Sequence, residues 1–217
     1  MKVKLLQATN LKVADIAIGK CWDKPTNKMD YPNGINVDRI DRVANKLKHS
    51  STIEHLNYTF EIDNVSRALL QELVRHRIAS YTVKSTRYTL FEVSDENPEQ
   101  LYDLGNVKRA NKYLVFTGSP LVDYFSILAL ENLRVAIHQG IAKFCLPESY
   151  KTSLVMTINA RSLNNLLSLR STKLAMWEIR ELAKTMYTRL PLSHKFLYDG
   201  TKVVNSVIEG ESNEFCR

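Results

Sequence analysis

Arg75, His76 and Arg77 stand side by side, and the next ten residues add Ser80, Lys84, Ser85, Thr86 and Arg87. Guanidinium forks suit phosphates and carboxylates, while hydroxyls and loop backbone N–H groups add donors at close range. The set therefore has the chemistry to hold an anionic ligand. Cations at a helix C-terminus also stabilise that end by ~0.3–1 kcal/mol each, so Arg75 and His76 alone fit a purely structural role equally well. That role does not account for Ser80, Ser85 and Arg87. A second concentration is "NARSLNNLLSLR", with Asn159, Arg161, Asn165 and Arg170. Arg161 and Asn165 are four apart and share a helix face, whereas Arg170 lies well around the helix. Leu163, Leu166, Leu167 and Leu169 imply a mostly buried helix, and a buried arginine needs an acceptor. A structural ion pair with a glutamate meets that need more simply than a ligand does. A third stretch, "HSSTIEH", gives Ser51 and Glu54 the spacing of a capping box. His49 and His55 have no further ligand at a usual zinc spacing, so no metal site is expected.

These groups need elements to place them. "KVKLLQA" reads as a strand, and "LKVADIAIGKCW" as a helix capped by Asn10. "DKPTNKMDYPNG" is a loop. "NVDRIDRVANKLKH" puts Ile40, Val43, Ala44 and Leu47 at helical spacing. "HLNYTFEID" alternates, with Leu56, Tyr58, Phe60 and Ile62 on one side, as a half-buried strand should. "SRALLQELVRHR" reads as a helix capped by Ser66 and ending in the Arg-His-Arg triplet. The chain is polar and irregular from about 93 to 120. A long apolar helix follows, "DYFSILALENLRVAIHQ", ended by Gly140. Pro147 breaks "FCLPESY". "KTSLVMTI" is a strand, "ARSLNNLLSLR" a helix, and "TKLAMWEIRELAKTMYTRL" a helix stopped by Pro191. The tail from about 208 to 217 is expected to be loose. The fold class is α+β, helix-rich, with a small mixed or antiparallel sheet and long helices.

Composition narrows the classes further. The 217 residues are 44% hydrophobic and 24% charged, an ordinary globular balance with ample material for a core. No eighteen-residue apolar run suggests a membrane span, and the first residues lack the apolar block of a signal peptide. A cytoplasmic protein is expected. Cys21, Cys145 and Cys216 are odd in number and far apart, against both a disulfide framework and paired-cysteine zinc. The net charge of +7 favours phosphate-bearing partners.

Together the three stretches resemble the flavin-dependent thymidylate synthase family, ThyX. Its Arg-His-Arg-x7-Ser signature is matched by Arg75, His76, Arg77, "IASYTVK" and Ser85, continuing as "STRY". The upstream His-x-Ser-x-x-Glu-His (His49, Ser51, Glu54, His55) and the downstream Asn-Ala-Arg-Ser-Leu-x-Asn with Leu-Arg stand in family order. The likeness covers about His49 to Leu190. It implies one catalytic domain over 1–217 and a homotetramer with flavin sites shared between subunits. It also implies reductive methylation of dUMP to dTMP, with methylenetetrahydrofolate as carbon donor and FAD reduced by NADPH as hydride source. The resemblance implies no part for an enzyme cysteine nucleophile, for nucleic acid or for a membrane. By motif, His49, Ser51, Arg75, His76, Arg77, Asn159, Arg161 and Asn165 would contact FAD. Glu72, Arg75, Val83, Lys84, Ser85, Thr86, Arg87, Lys143 and Arg170 would contact dUMP. Arg170 would be the catalytic cation, favouring an N3-ionised uracil whose C5 is the better nucleophile.

Four positions depart from the family pattern. Thr82-Val83 stands where Asn-Glu is frequent, Glu72 where glutamine is common, and Lys143 where an arginine is common. Lysine offers a point charge but no bidentate fork. The same reaction with some altered substrate contacts is expected. The rival readings are a nucleic-acid binder with Tyr81 and Tyr88 stacking on bases, a cysteine-nucleophile thymidylate synthase, and a relative that binds nucleotide without turnover. Cys145, in "FCLPES", has no adjacent histidine to activate it.

Overall fold

A computed structural model of the chain describes residues 1–23, 35–94, 107–137 and 141–201. The strands are β1 (Lys2–Ala8), β2 (Asn57–Ser66), β3 (Ala79–Val83) and β4 (Lys151–Asn159). They form one antiparallel sheet in the order β1-β2-β4-β3. The helices are α1 (Lys12–Lys20), α2 (Val37–Asp41), α3 (Arg67–Leu73), α4 (Thr86–Thr89), α5 (Phe91–Ser94), α6 (Val107–Tyr113), α7 (Pro120–Ile137), α8 (Ala160–Arg170) and α9 (Trp177–Arg189). The chain groups into two compact units. One comprises Met1–Lys2, Ile62–Arg75 and Thr82–Leu154, and the other Val3–Glu61, His76–Tyr81 and Val155–Arg217. The α+β expectation holds, with the sheet antiparallel. The loop at 24–34, the linker at 95–106, Gly140 and the tail beyond 201 lie outside the described residues.

In the first unit, Ser66 ends β2 in extended conformation and its Oγ accepts from Leu69 N–H at 3.0 Å, which starts α3 as expected. α3 buries Leu69 and Leu73, then stops, and Val74 and Ile78 are exposed. The Arg-His-Arg triplet therefore lies beyond the helix, in the link to β3, rather than on its last turn. The apolar stripe ends at Leu73, so nothing holds another turn against a core. The core of this unit joins Leu90, Val93, Ala110, Tyr113, Leu114, Leu130, Leu133 and Tyr150, with Cys145 packed on it half-buried. Ala110 and Tyr113 come from α6, a helix within the stretch expected to be irregular. Burying those two side chains is the reason it forms.

In the second unit, β2 buries Tyr58 and Phe60 completely, as the alternation requires. Burial of one such side chain contributes about 2 kcal/mol. Hydroxyls of Thr59 and Thr157 meet at 3.0 Å across β2 and β4. The N-cap position of α1 falls on Leu11, one residue after the expected Asn10, whose Oδ1 still accepts from Lys12 N–H at 2.8 Å. α2 runs into a π turn, Arg42–Lys46, in which Leu47 N–H reaches back to Arg42 C=O at 2.9 Å. The wider turn rotates Leu47 off the stripe. Ile40, Val43 and Ala44 are buried as expected, but Leu47 is 53% exposed. α9 starts at Trp177 rather than near Thr172, because the chain first turns at Thr172–Ala175 and is extended at Met176.

The 3-10 turn Leu192–Tyr198 closes this unit. Its His194 lies 2.9 Å from the Tyr58 hydroxyl, edge-on to that ring. Asn45 and Asn164 donate to the carbonyls of Phe196 and Leu197 at 2.9 and 3.1 Å. Burial lowers the pKa of His194 and pushes the Tyr58 phenol up to about 12, so both are neutral at pH ~7. In acid the unfolded chain binds a proton at this histidine that the folded chain refuses. Stability from this group is thus full above the unfolded histidine value, ~6.5, and falls as pH drops toward the lower folded value. Thermal melts across that range should show this loss, and His194→Gln should remove it. An unchanged slope in the variant would assign the loss to other groups.

Candidate functional site

In the first unit, the groups expected at a nucleotide are gathered along one short stretch. Lys84 follows β3, and its N–H donates to Ser153 C=O at 2.8 Å. Ser85 precedes α4 in extended conformation, and its hydroxyl makes no capping bond. Thr89 Oγ1 instead donates to the Ser85 carbonyl at 3.1 Å. Lys84, Ser85 and Arg87 are exposed, with Val83 and Thr86 half-buried. The Lys84 ammonium faces Glu92 at 3.9 Å. Arg75 is paired with Glu72 at 3.5 Å, one turn earlier. Both side chains reach solvent, so this ion pair contributes no more than ~1 kcal/mol. It leaves the Arg75 guanidinium at the surface. Lys143 is exposed on the 3-10 turn Ala142–Cys145.

In the second unit, the expected flavin residues come from three places. His49 is exposed at the start of the 3-10 turn Ser50–Ile53, next to Lys48, whose φ of 58° reverses the chain after the π turn. Thr52 Oγ1 donates to the His49 carbonyl at 3.0 Å. The capping box expected of Ser51 and Glu54 does not form. Glu54 N–H donates to the Ser51 carbonyl at 3.2 Å, and the Glu54 carboxylate accepts from Arg161 at 2.6 Å. A 3-10 turn uses the backbone carbonyl where a capping box would use the hydroxyl. This frees the carboxylate to reach α8.

Asn159 caps α8, its Oδ1 accepting from Ser162 N–H at 2.8 Å. α8 buries Leu163, Leu166 and Leu167, but Leu169 is 54% exposed. Arg161 is paired with glutamate as the simpler sequence reading held, yet it stays exposed, as does Asn165. Arg170, on the last turn, donates from Nε to His76 Nε2 at 3.0 Å. His76 in turn accepts on its backbone carbonyl from the Tyr81 hydroxyl at 2.8 Å. Arg77 is exposed beside it. Glu54 and Tyr81 are the supporting residues that sequence reasoning passed over. Glu54 had a local explanation, and Tyr81 sits in β3, a strand unsuspected in a stretch dominated by cations.

Among the described residues no group of His, Cys, Asp and Glu is disposed to hold a metal ion. No helix there is long and apolar enough to cross a membrane. Cys21 is exposed, and Cys145 is half-buried; both are free thiols.

An antiparallel four-stranded sheet leading into an arginine-bearing helix, with a cation-rich link before β3, is the framework these residues define. The chain belongs to the thymidylate synthase complementing protein family, whose model matches residues 4–191. Its relatives carry a more specific name. A flavin-dependent thymidylate synthase of Campylobacter jejuni is 50% identical over 203 residues, covering 92% of this chain and 96% of that protein. One of Wolinella succinogenes is 52% identical over 202 residues, covering 91% and 97%. The crystal structure of thymidylate synthase X (ThyX) from Helicobacter pylori with FAD and dUMP superposes with a TM-score of 0.83. It is 45% identical and covers 92% of this chain and 98% of that one.

Proposed function

We propose that this chain is a flavin-dependent thymidylate synthase that methylates dUMP to dTMP. Methylenetetrahydrofolate is the carbon donor, and NADPH reduces the bound FAD. One observation carries the reading. The Arg75-His76-Arg77…Ser85 signature stands intact in a chain that matches, over 92% of its length, a ThyX solved with FAD and dUMP.

The residues suit the flavin. Arg77, His49, Arg161 and Asn165 are exposed hydrogen-bonding groups, the chemistry that a pyrophosphate and a polar ring edge require. FAD supplies hydride transfer; the protein supplies position and electrostatics. His49, Ser51, Arg75, His76, Arg77, Asn159, Arg161 and Asn165 hold it in this reading. Ser85 and Arg87, with the Lys84 side chain and backbone N–H groups around Val83 and Thr86, hold the dUMP phosphate, the Lys84 N–H being taken by the Ser153 carbonyl. Glu72, Arg75 and Lys143 complete that contact set. Arg170 sets a fixed cation against the uracil carbonyl edge, where negative charge builds as C5 attacks.

Cys145 packs against the core of the first unit, and in this reading it is no nucleophile. Cys145→Ala should keep dTMP formation within about twofold, since a small half-buried thiol contributes packing only. Complete loss of turnover in a folded variant would overturn this. Exposed Leu121, Phe125, Phe144, Leu174 and Leu192 are apolar surface of the kind that subunit contacts cover. They suit an oligomer, and sedimentation equilibrium would test whether it is the homotetramer that the family resemblance implies.

The deciding experiment for function is an absorbance spectrum after FAD is added and the excess removed, then anaerobic NADPH with and without dUMP. A retained flavin band that bleaches faster with dUMP is expected. No flavin retention by folded, tetrameric protein would remove the flavoenzyme reading.

A further inference from the structure

Glu54 and Arg161 come from separate elements of the second unit, and the backbone already brings them together. Ala160 N–H donates to the Leu56 carbonyl at 2.7 Å, which ties the first turn of α8 to the residues just after the 3-10 turn Ser50–Ile53. That turn is closed from within, by Glu54 N–H on the Ser51 carbonyl at 3.2 Å and by Thr52 Oγ1 on the His49 carbonyl at 3.0 Å. Across this junction Arg161 Nη1 donates to Glu54 Oε1 at 2.6 Å, a short charge-assisted bond. The bond engages Nη1, so Nε and Nη2 keep their donors for a ligand. Stability does not account for the contact. The two side chains are 59% and 42% exposed, and an ion pair so open to water adds little to folding. Binding does account for it: a long side chain ordered in advance loses no rotamer freedom when its ligand arrives.

We propose that Glu54 is a positioning residue for Arg161. Its carboxylate holds the guanidinium in the binding rotamer before the flavin arrives, and it couples the turn that carries His49 and Ser51 to the helix that carries Arg161 and Asn165. The role calls for an acceptor at the place of Oε1 and not for negative charge as such, because a carboxylate repels an anionic ligand such as FAD. The inference rests on the reading of Arg161 as a flavin contact. It adds a residue that acts through Arg161 rather than through a ligand contact of its own.

The test compares Glu54→Gln with Glu54→Ala. Both remove the same charge, but glutamine keeps an acceptor oxygen, so the difference between them reads position alone. FAD affinity is measured by titrating flavin fluorescence, with thermal melts of each protein alongside. Glu54→Gln should bind FAD about fivefold more tightly than Glu54→Ala, the advantage of one long side chain ordered beforehand. Both should melt close to wild type. Repeated in an Arg161→Ala background, the difference between glutamine and alanine should vanish, because residues that act as a pair are not additive.

Equal FAD affinities in Glu54→Gln and Glu54→Ala would overturn the proposal. A difference that persists without the Arg161 guanidinium would overturn it too, as would a fall in melting temperature that tracks the loss of flavin, which would make Glu54 structural only. If wild type retains no FAD, the functional reading itself fails. The contact is then still read by nitrogen-15 spectra of arginine-labelled protein, with the Arg161 signals assigned by their loss in Arg161→Ala. The same spectra decide the matter if Arg161→Ala retains no flavin. Separate Nη signals in wild type and Glu54→Gln, merged by free rotation in Glu54→Ala, would support the restraint. Merged signals in wild type would refute it.

Discussion

Arg170→Ala is expected to lower the rate of dTMP formation by ~10²–10³-fold, the usual loss when one group stabilising developing charge is removed, while the protein still retains FAD. Arg170 ends a helix that buries Leu163, Leu166 and Leu167 on the same side, one and two turns before it, so its Cα is held by the core of its unit. Its guanidinium is held by His76. In the proposed role, a cation so held needs little reorganisation as charge appears on the uracil, and that is the source of the expected effect. Arg170→Lys separates charge from geometry. It keeps a positive charge but loses both the planar fork and the Nε donor, so it should fall between wild type and alanine. Single-turnover formation of dTMP from FAD-loaded, prereduced protein is the measurement. A wild-type rate in Arg170→Ala would remove Arg170 from the chemistry.

The largest effect on stability is expected at Asp15. This carboxylate on α1 is fully buried and accepts from Arg39 Nε at 2.6 Å and from Asn36 N–H at 3.2 Å. It also meets Arg39 Nη2. Only 19% of the Arg39 side chain is exposed. Asp15→Ala leaves that guanidinium largely desolvated and without its carboxylate, which costs about 3–5 kcal/mol. Against a typical total of ~5–15 kcal/mol, the loss would lower the urea midpoint markedly. The consequence reaches the site, because α2 continues through the π turn and Lys48 to His49. A change under about 1 kcal/mol in urea melts would mean that the pair only offsets its own desolvation.

Some of this could be read from the chain directly. The alternation of Tyr58, Phe60 and Ile62 specifies a half-buried strand, Ser66 marks the start of α3, and the bounds of α8 follow from "ARSLNNLLSLR". Each signal lies within a few residues, the reach of a backbone hydrogen bond or a helical turn. The family signature was legible for the same reason: it is a local string of residue types. The end of α3 at Leu73 was not legible, because a helix stops where its burial stops, and burial depends on the neighbours. Nor was the outward turn of Leu47, which needs one π-type hydrogen bond that no residue preference announces.

The pairings within the site are the furthest from any local rule. His76 and Arg170 are 94 positions apart, and Glu54 and Arg161 are 107 apart. The sequence alone determined that this chain carries cations, hydroxyls and amides in the order a nucleotide-handling flavoenzyme needs. Only the tertiary structure decided which of them restrain one another, because the sheet register and helix packing set the ångström separations on which a hydrogen bond between distant side chains depends.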